Sequence, residues 1–135
     1  MAVKWANASV LDGGTDLIRT LAATAGRVKM HVIKAYTAGD SYSTVVTTNS
    51  CGSFDMVPGD FVQSGAAGAS RVTTVAAKAV SLTANSGAAP DLAVAIVDST
   101  GSAVLFVTDE TSNQVLTSGG TFNVPSWTIT FAQPV

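Results

Sequence analysis

The second half of the chain consists of short, strand-sized segments separated by turn residues, and this pattern restricts the fold more than any other feature. From residue 71 to residue 135, runs rich in Val, Thr, Ile and Phe recur at short intervals, and most are followed by Gly, Ser, Asn or Asp. Such spacing is typical of an antiparallel sandwich or barrel. We therefore expect a mainly β protein, with a single β-sandwich or barrel-like domain of short antiparallel strands.

The clearest predicted strand is Trp127–Phe131, because large apolar side chains alternate there with threonines. Residues 98–101, with the sequence DSTG, are typical of a hairpin turn between two apolar strands. Further strands are expected at residues 28–36, 43–48, 71–77, 79–84, 92–97, 104–108 and 113–116.

One short amphipathic helix is expected near the N-terminus, at residues 16–25. Thr15 is a suitable N-cap, Asp16 places a negative charge in the first turn, and Gly26 is a suitable stop. Its apolar stripe either packs on a sheet or serves a subunit interface. Residues 1–14 are then expected to form an N-terminal arm, and residues 15–135 a single domain with a long irregular loop at about 51–70.

The composition indicates a globular protein with few surface charges. Of the 135 residues, 47% are hydrophobic and 12% charged, whereas ordinary domains carry roughly 25% charged residues. The net charge of −2 argues against nucleic acid as the main partner. All seven basic residues precede residue 79, an asymmetry that favours head-to-tail packing against copies or a partner if the fold keeps the two halves apart.

Neither a membrane span nor a secretion signal is predicted. The apolar run at residues 92–97 is far shorter than the about 20 residues that a spanning helix needs. The first residues lack the continuous hydrophobic stretch of a signal peptide. We expect the chain to be made in the cytoplasm and to remain soluble there.

The residues that usually carry chemistry are few and scattered. No phosphate-binding, zinc-binding or nucleophile motif is present. His31, the single histidine, is expected to be structural and partly exposed, and Cys51, the single cysteine, to be a buried thiol. Acid pairs at 55/60 and 109/110 are expected to accept hydrogen bonds in turns. The sequence therefore predicts a protein that is not an enzyme and has no catalytic, cofactor or metal site.

The order of segments in the second half resembles a family of small tailed-bacteriophage proteins that are encoded among head genes beside the major capsid protein. The resemblance spans about residues 15–135 and implies a virion structural protein, specifically a decoration or cement protein on the outer capsid surface. The implied partners are the major capsid protein and neighbouring copies of the chain in a homo-oligomer. The segments that carry it are RVTTVAAK from Arg71, VSLTANSG from Val80, DLAVAIVD from Asp91, VLFVT from Val104 and LTSGGTFNVPSW from Leu116.

The arm and the long loop are the segments that we expect to contact the capsid or a neighbouring subunit. Aromatic anchors commonly dominate such contacts. The candidate interface residues are Lys4, Trp5, Phe54, Met56 and Phe61.

A head or tail fibre or adhesin module that binds host-surface carbohydrate is the alternative. That reading predicts a shallow site lined by Tyr36, Tyr42 or Asp109.

Overall fold

The protein is mainly β, as the strand pattern predicts. A computed structural model describes residues 5–6, 8–66, 68–110 and 112–134. Within these residues, nine strands form three antiparallel sheets, and two helices lie near the N-terminus. The elements are α1 (Ala8–Leu11), α2 (Gly13–Ala22), β1 (Val28–Ile33), a π-helix (Thr44–Thr48), β2 (Ser50–Asp55), a 3-10 helix (Pro58–Asp60), β3 (Phe61–Ser64), β4 (Arg71–Val75), β5 (Lys78–Ser81), β6 (Ala93–Asp98), β7 (Ala103–Asp109), β8 (Thr121–Val124) and β9 (Trp127–Phe131).

The strand order leaves β7 and β9 at sheet edges. The four-stranded sheet has the order β2-β1-β6-β7, the three-stranded sheet the order β3-β4-β9, and β5 pairs with β8. In the first sheet, Met30 lies opposite Phe54 on one side and Ile96 on the other. The β6–β7 pairing shifts by one residue after Ile96, as a β-bulge does.

The main core lies between the sheets in a sandwich-like arrangement. It includes Met30 and Ile96 from the first sheet, Val75 and Ile129 from the second, and Phe122 from the third. A second cluster covers the opposite face of the first sheet. Its buried members are Ile33, Val45, Ala93, Ala95 and Val97.

The second cluster explains why β6 is buried along its whole length. Val45 belongs to the π-helix, which packs against this face. The prediction of a strand at residues 43–48 is therefore wrong. The apolar residues of this segment do pack on the sheet, but they do so from a helical turn that covers its face and not from a strand that pairs at its edge.

Helix α2 begins earlier and ends earlier than predicted. Thr15 lies inside the helix rather than at its cap, and its hydroxyl is 2.5 Å from that of Thr73 in β4. Thr15 therefore joins the helix to β4 instead of capping the helix N-terminus. Ile18 and Ala22 face the main core, whereas Leu17 is exposed. Gly26, with φ of 73°, follows in the turn after the helix.

The segment predicted as a long loop, residues 51–70, contains most of β2, the 3-10 helix and β3. That prediction is wrong because backbone pairing orders the segment: β2 pairs with β1, and β3 pairs with β4. Residues 113–116 do not form the predicted strand. Strand β8 was missed, whereas β9 has the predicted bounds. Among the described residues, no helix has the length and apolar character to cross a membrane.

Candidate interaction surfaces

The structure separates the predicted interface residues into two groups. Trp5 is 60% exposed and Phe54 38% exposed, so both are available to a partner. Met56 and Phe61 are buried in the main core, so their prediction as interface residues is wrong. Lys4 lies outside the described residues.

Backbone pairing explains why Met56 and Phe61 turn inward. The N–H of Met56 donates to the carbonyl of Val28, which continues the β1–β2 ladder by one residue. Phe61 starts β3 opposite Val75, with both side chains in the main core. Neighbouring side chains on an extended chain point to opposite sides, so Asp55 and Val57 beside Met56, and Val62 after Phe61, face solvent.

The β2–β3 turn presents two exposed apolar side chains, Phe54 and Val57, which we call the turn surface. Val57 is 53% exposed. The buried carboxylate of Asp60 accepts a hydrogen bond from the Val57 N–H at 2.9 Å and pairs with Lys78 Nζ at 2.7 Å. Lys78 Nζ in turn lies 4.9 Å from the centre of the Phe54 ring. The turn surface is thus held in place by one connected network.

An apolar cleft of about 200 Å³ lies between α2, β7 and β9. Leu17, which is 56% exposed, stands at this cleft beside Phe106 and Phe131. Phe106 stacks on Trp127, with ring centres 5.6 Å apart. The buried indole Nε1 of Trp127 has no hydrogen-bond partner among the described residues. Trp127 itself lines a separate cleft of about 130 Å³ with Thr108, Asp109 and Glu110.

Both strands at this cleft are edge strands. Strand β7 ends the first sheet and β9 ends the second, so each has one side without a neighbouring strand within the described residues. Natural edge strands are commonly protected by charges, proline or bulges because an open edge can pair with another chain. In β7, the bulge is the only one of these protections before Asp109, because residues 103–108 carry neither a charge nor a proline.

Acidic side chains gather at the end of β7. Asp109 and Asp91 line a cleft of about 160 Å³ together with Tyr36, and Glu110 follows Asp109 in the chain. None of these three acids is in an ion pair with a described residue. Of the residues in the carbohydrate hypothesis, Tyr36 and Asp109 thus share one cleft, whereas Tyr42 packs against the second cluster.

The remaining acid of the second half, Asp98, is neutralised inside the fold. Arg27 donates to both of its carboxylate oxygens, at 2.8 and 2.9 Å. The N–H groups of Thr100 and Gly101 donate to Asp98 as well, each at 3.1 Å. The hydrogen bond from Arg27 is the main cause that lowers the pKa of Asp98 to about 2, and the backbone donors add to it. This carboxylate holds the β6–β7 turn in shape.

His31 and Cys51 are both buried in the first sheet. His31 is 7% exposed, so the prediction that it is partly exposed is wrong. The cause is the second cluster, which covers the face that the sequence pattern assigned to solvent. The Nδ1 atom of His31 lies 2.8 Å from Ser50 Oγ. Burial lowers the pKa of His31 to about 4, and the positive charge of Lys29 contributes a smaller part of the shift.

Cys51 is fully buried, which confirms the predicted buried thiol, and burial raises its pKa. The two acids of the predicted turn pair each contact a lysine: Asp55 pairs with Lys29, and Asp60 with Lys78. Within the described residues, no group of three His, Cys, Asp or Glu side chains is placed to hold a metal ion.

Comparisons with protein-family models, with curated proteins and with solved structures found no match. The surfaces themselves therefore carry the functional argument. Sequence reasoning missed the cleft between β7 and β9, because the edge position of a strand depends on pairing between distant segments. The available signal was the uncharged run at residues 103–108 next to Asp109 and Glu110.

Proposed function

We propose that this chain is a non-enzymatic structural protein of a tailed-bacteriophage virion that decorates the outer surface of the major capsid shell. It is made in the cytoplasm of the bacterial host and then binds the shell. The order of segments from residue 71 onward supports the virion role. The observation that carries the docking argument is the turn surface, where Phe54 and Val57 are exposed on a turn held by Asp60 and Lys78.

The turn surface suits binding to many equivalent sites. Ordering a flexible side chain on binding costs roughly 0.5–1.5 kcal/mol, and side chains that are already held avoid part of that cost. Phe54 supplies an aromatic anchor of the kind that dominates protein interfaces. A shell presents the same site many times, so a modest affinity at each site is sufficient when copies also contact one another.

Two experiments test this proposal. Purified particles should contain the protein at a copy number near that of the major capsid protein or a simple fraction of it. A count of one to twelve copies per particle would place the protein at a vertex, the neck or the tail and would contradict decoration.

The second experiment measures binding of the purified protein to empty expanded shells. Replacing Phe54 with Ala and Val57 with Ser is expected to weaken binding by at least about tenfold, because both anchors are removed. Val115→Ser is the matched control, since Val115 is also exposed but lies between β7 and β8. Equal loss in both variants, or no loss in either, contradicts the turn surface as the docking site.

A carbohydrate-binding head or tail fibre module is a second candidate, favoured by one observation. Tyr36, Asp91 and Asp109 share a cleft, and aromatic rings with carboxylates commonly bind sugars. This candidate predicts saturable binding to host glycans that Tyr36→Ala abolishes and Val115→Ser retains. A glycan array without binding would argue against it.

A further inference from the structure

The edge of β7 is accessible over a long uncharged stretch. Residues 103–108 are each half-buried, and they carry neither lysine nor proline. On the outer side of β7, the backbone has no hydrogen-bond partner among the described residues. Such an edge is suited to accept an additional strand, which forms main-chain hydrogen bonds and places alternate side chains in neighbouring clefts.

The charge at the end of this edge specifies what such a strand must carry. Asp91, Asp109 and Glu110 lie there without an ion pair to a described residue. The chain has no basic residue after Lys78, and Lys34, whose carbonyl accepts from the Asp91 N–H, forms no ion pair with any of the three among the described residues. An added strand should therefore be apolar with a basic residue near Asp109.

The N-terminal segment of this same chain has that character. Lys4 stands between Val3 and Trp5, so a basic side chain alternates with two apolar ones. Trp5 is 60% exposed, so more than half of its surface is left uncovered by the described residues. We propose that the segment around Lys4 and Trp5 of one copy adds to the edge of β7 in a second copy, antiparallel to it.

The alternation of faces agrees with this pairing. Residues directly opposite each other in an antiparallel pair share a face, so Lys4 opposite Asp109 places Trp5 opposite Thr108. Thr108 pairs with Val94, whose side chain is in the main core, so this face is the one with Phe106. On one face of the added strand, Lys4 then contacts the acidic cleft. On the other face, Trp5 lies beside Phe106 and extends its stack with Trp127.

The anchor of the segment makes the association head-to-tail. The N–H of Ala6 donates to Gln133 Oε1 at 3.0 Å, and Gln133 Nε2 donates to the Ala6 carbonyl at 2.9 Å. Each copy thus keeps Ala6 on its own body while the preceding residues contact the neighbour. Because the donor and acceptor surfaces differ, the contact generates rings or open chains of copies. It involves this chain alone and does not depend on the capsid partner.

A charge-swap experiment with the purified full chain tests the inference. Sedimentation velocity at low salt, from micromolar to millimolar protein, should show association of the wild type. Lys4→Glu and the double variant Asp109→Lys/Glu110→Lys should each weaken it at least about tenfold, because each places like charges in contact. An equimolar mixture of the two should recover association into alternating assemblies, because both contacts between the variants are complementary: the acidic arm of Lys4→Glu meets the basic edge of the double variant, and Lys4 of the double variant meets the native acidic edge of Lys4→Glu.

Two further measurements keep the result interpretable. Near-ultraviolet circular dichroism checks that each variant is folded. Asp55→Lys reverses a charge on β2, the opposite edge of the same sheet, and should leave association unchanged. A wild type that stays monomeric throughout, a Lys4→Glu variant that associates normally, or a mixture that does not recover association overturns the inference.

Discussion

The burial of His31 makes a quantitative prediction about stability at mildly acidic pH. The folded protein holds the pKa of His31 at about 4, compared with 6.5 in an unfolded chain. Between these values the unfolded state binds a proton that the folded state does not, so the free energy of unfolding rises with pH in this window. Acidification from pH 7 to pH 5 should therefore destabilise the protein by about 2 kcal/mol, and by about 3 kcal/mol at pH 4.

The assay is urea unfolding at pH 7, 6, 5 and 4, with His31→Gln as the reference. Glutamine retains hydrogen-bonding capacity near Ser50 but does not titrate. Carboxylates that titrate near pH 4 affect both proteins alike, so the difference in unfolding free energy between them isolates His31. That difference should shift in favour of the variant by about 2 kcal/mol between pH 7 and pH 5. A difference that stays constant with pH refutes the reasoning.

Three other predictions concern side chains of the core and the turns. Phe61→Ala should destabilise the protein by about 3–5 kcal/mol because it leaves a cavity in the main core. Phe54→Ala should cost less than about 1 kcal/mol because Phe54 is partly exposed, and urea unfolding of both variants measures the difference. Asp98→Asn should lower the thermal midpoint at pH 7, where the contact with Arg27 is intact, and the difference from the wild type should vanish as the pH falls towards 2; a constant difference contradicts the ion pair. Cys51 should react slowly with a thiol reagent in the native state and rapidly in urea, because burial both shields the thiol and raises its pKa; rapid native labelling contradicts burial.

The strands that alternation predicts well are those with one face in the core. In β9, threonines alternate with Trp127, Ile129 and Phe131, and the strand has the predicted bounds. Alternation is less informative where both faces are covered. The second cluster buries the face of β1 that carries His31, and this cover comes from the π-helix near residue 45, a segment that local pattern assigned to a strand.

The candidate site shows the same division between local and long-range information. Phe54, Met56 and Phe61 lie within eight residues in the sequence and look alike as apolar side chains in a turn-rich segment. Pairing with β1 and β4 decides which of them faces solvent, and neither pairing is visible locally. The sequence predicts Trp5 and Phe54 as interface residues, and the structure leaves both exposed, whereas the cleft beside β7 depends on the sheet order.

The hydrogen bonds between Ala6 and Gln133 join residues that are 127 positions apart. During synthesis, which proceeds from the N-terminus at roughly 5–20 residues per second, Ala6 leaves the ribosome long before its partner exists. Thr15 must likewise wait for Thr73, and Asp12 for Arg71. The first segment of the chain is therefore among the last to dock, so a copy displays a correctly anchored Trp5 only after its sheets have been completed.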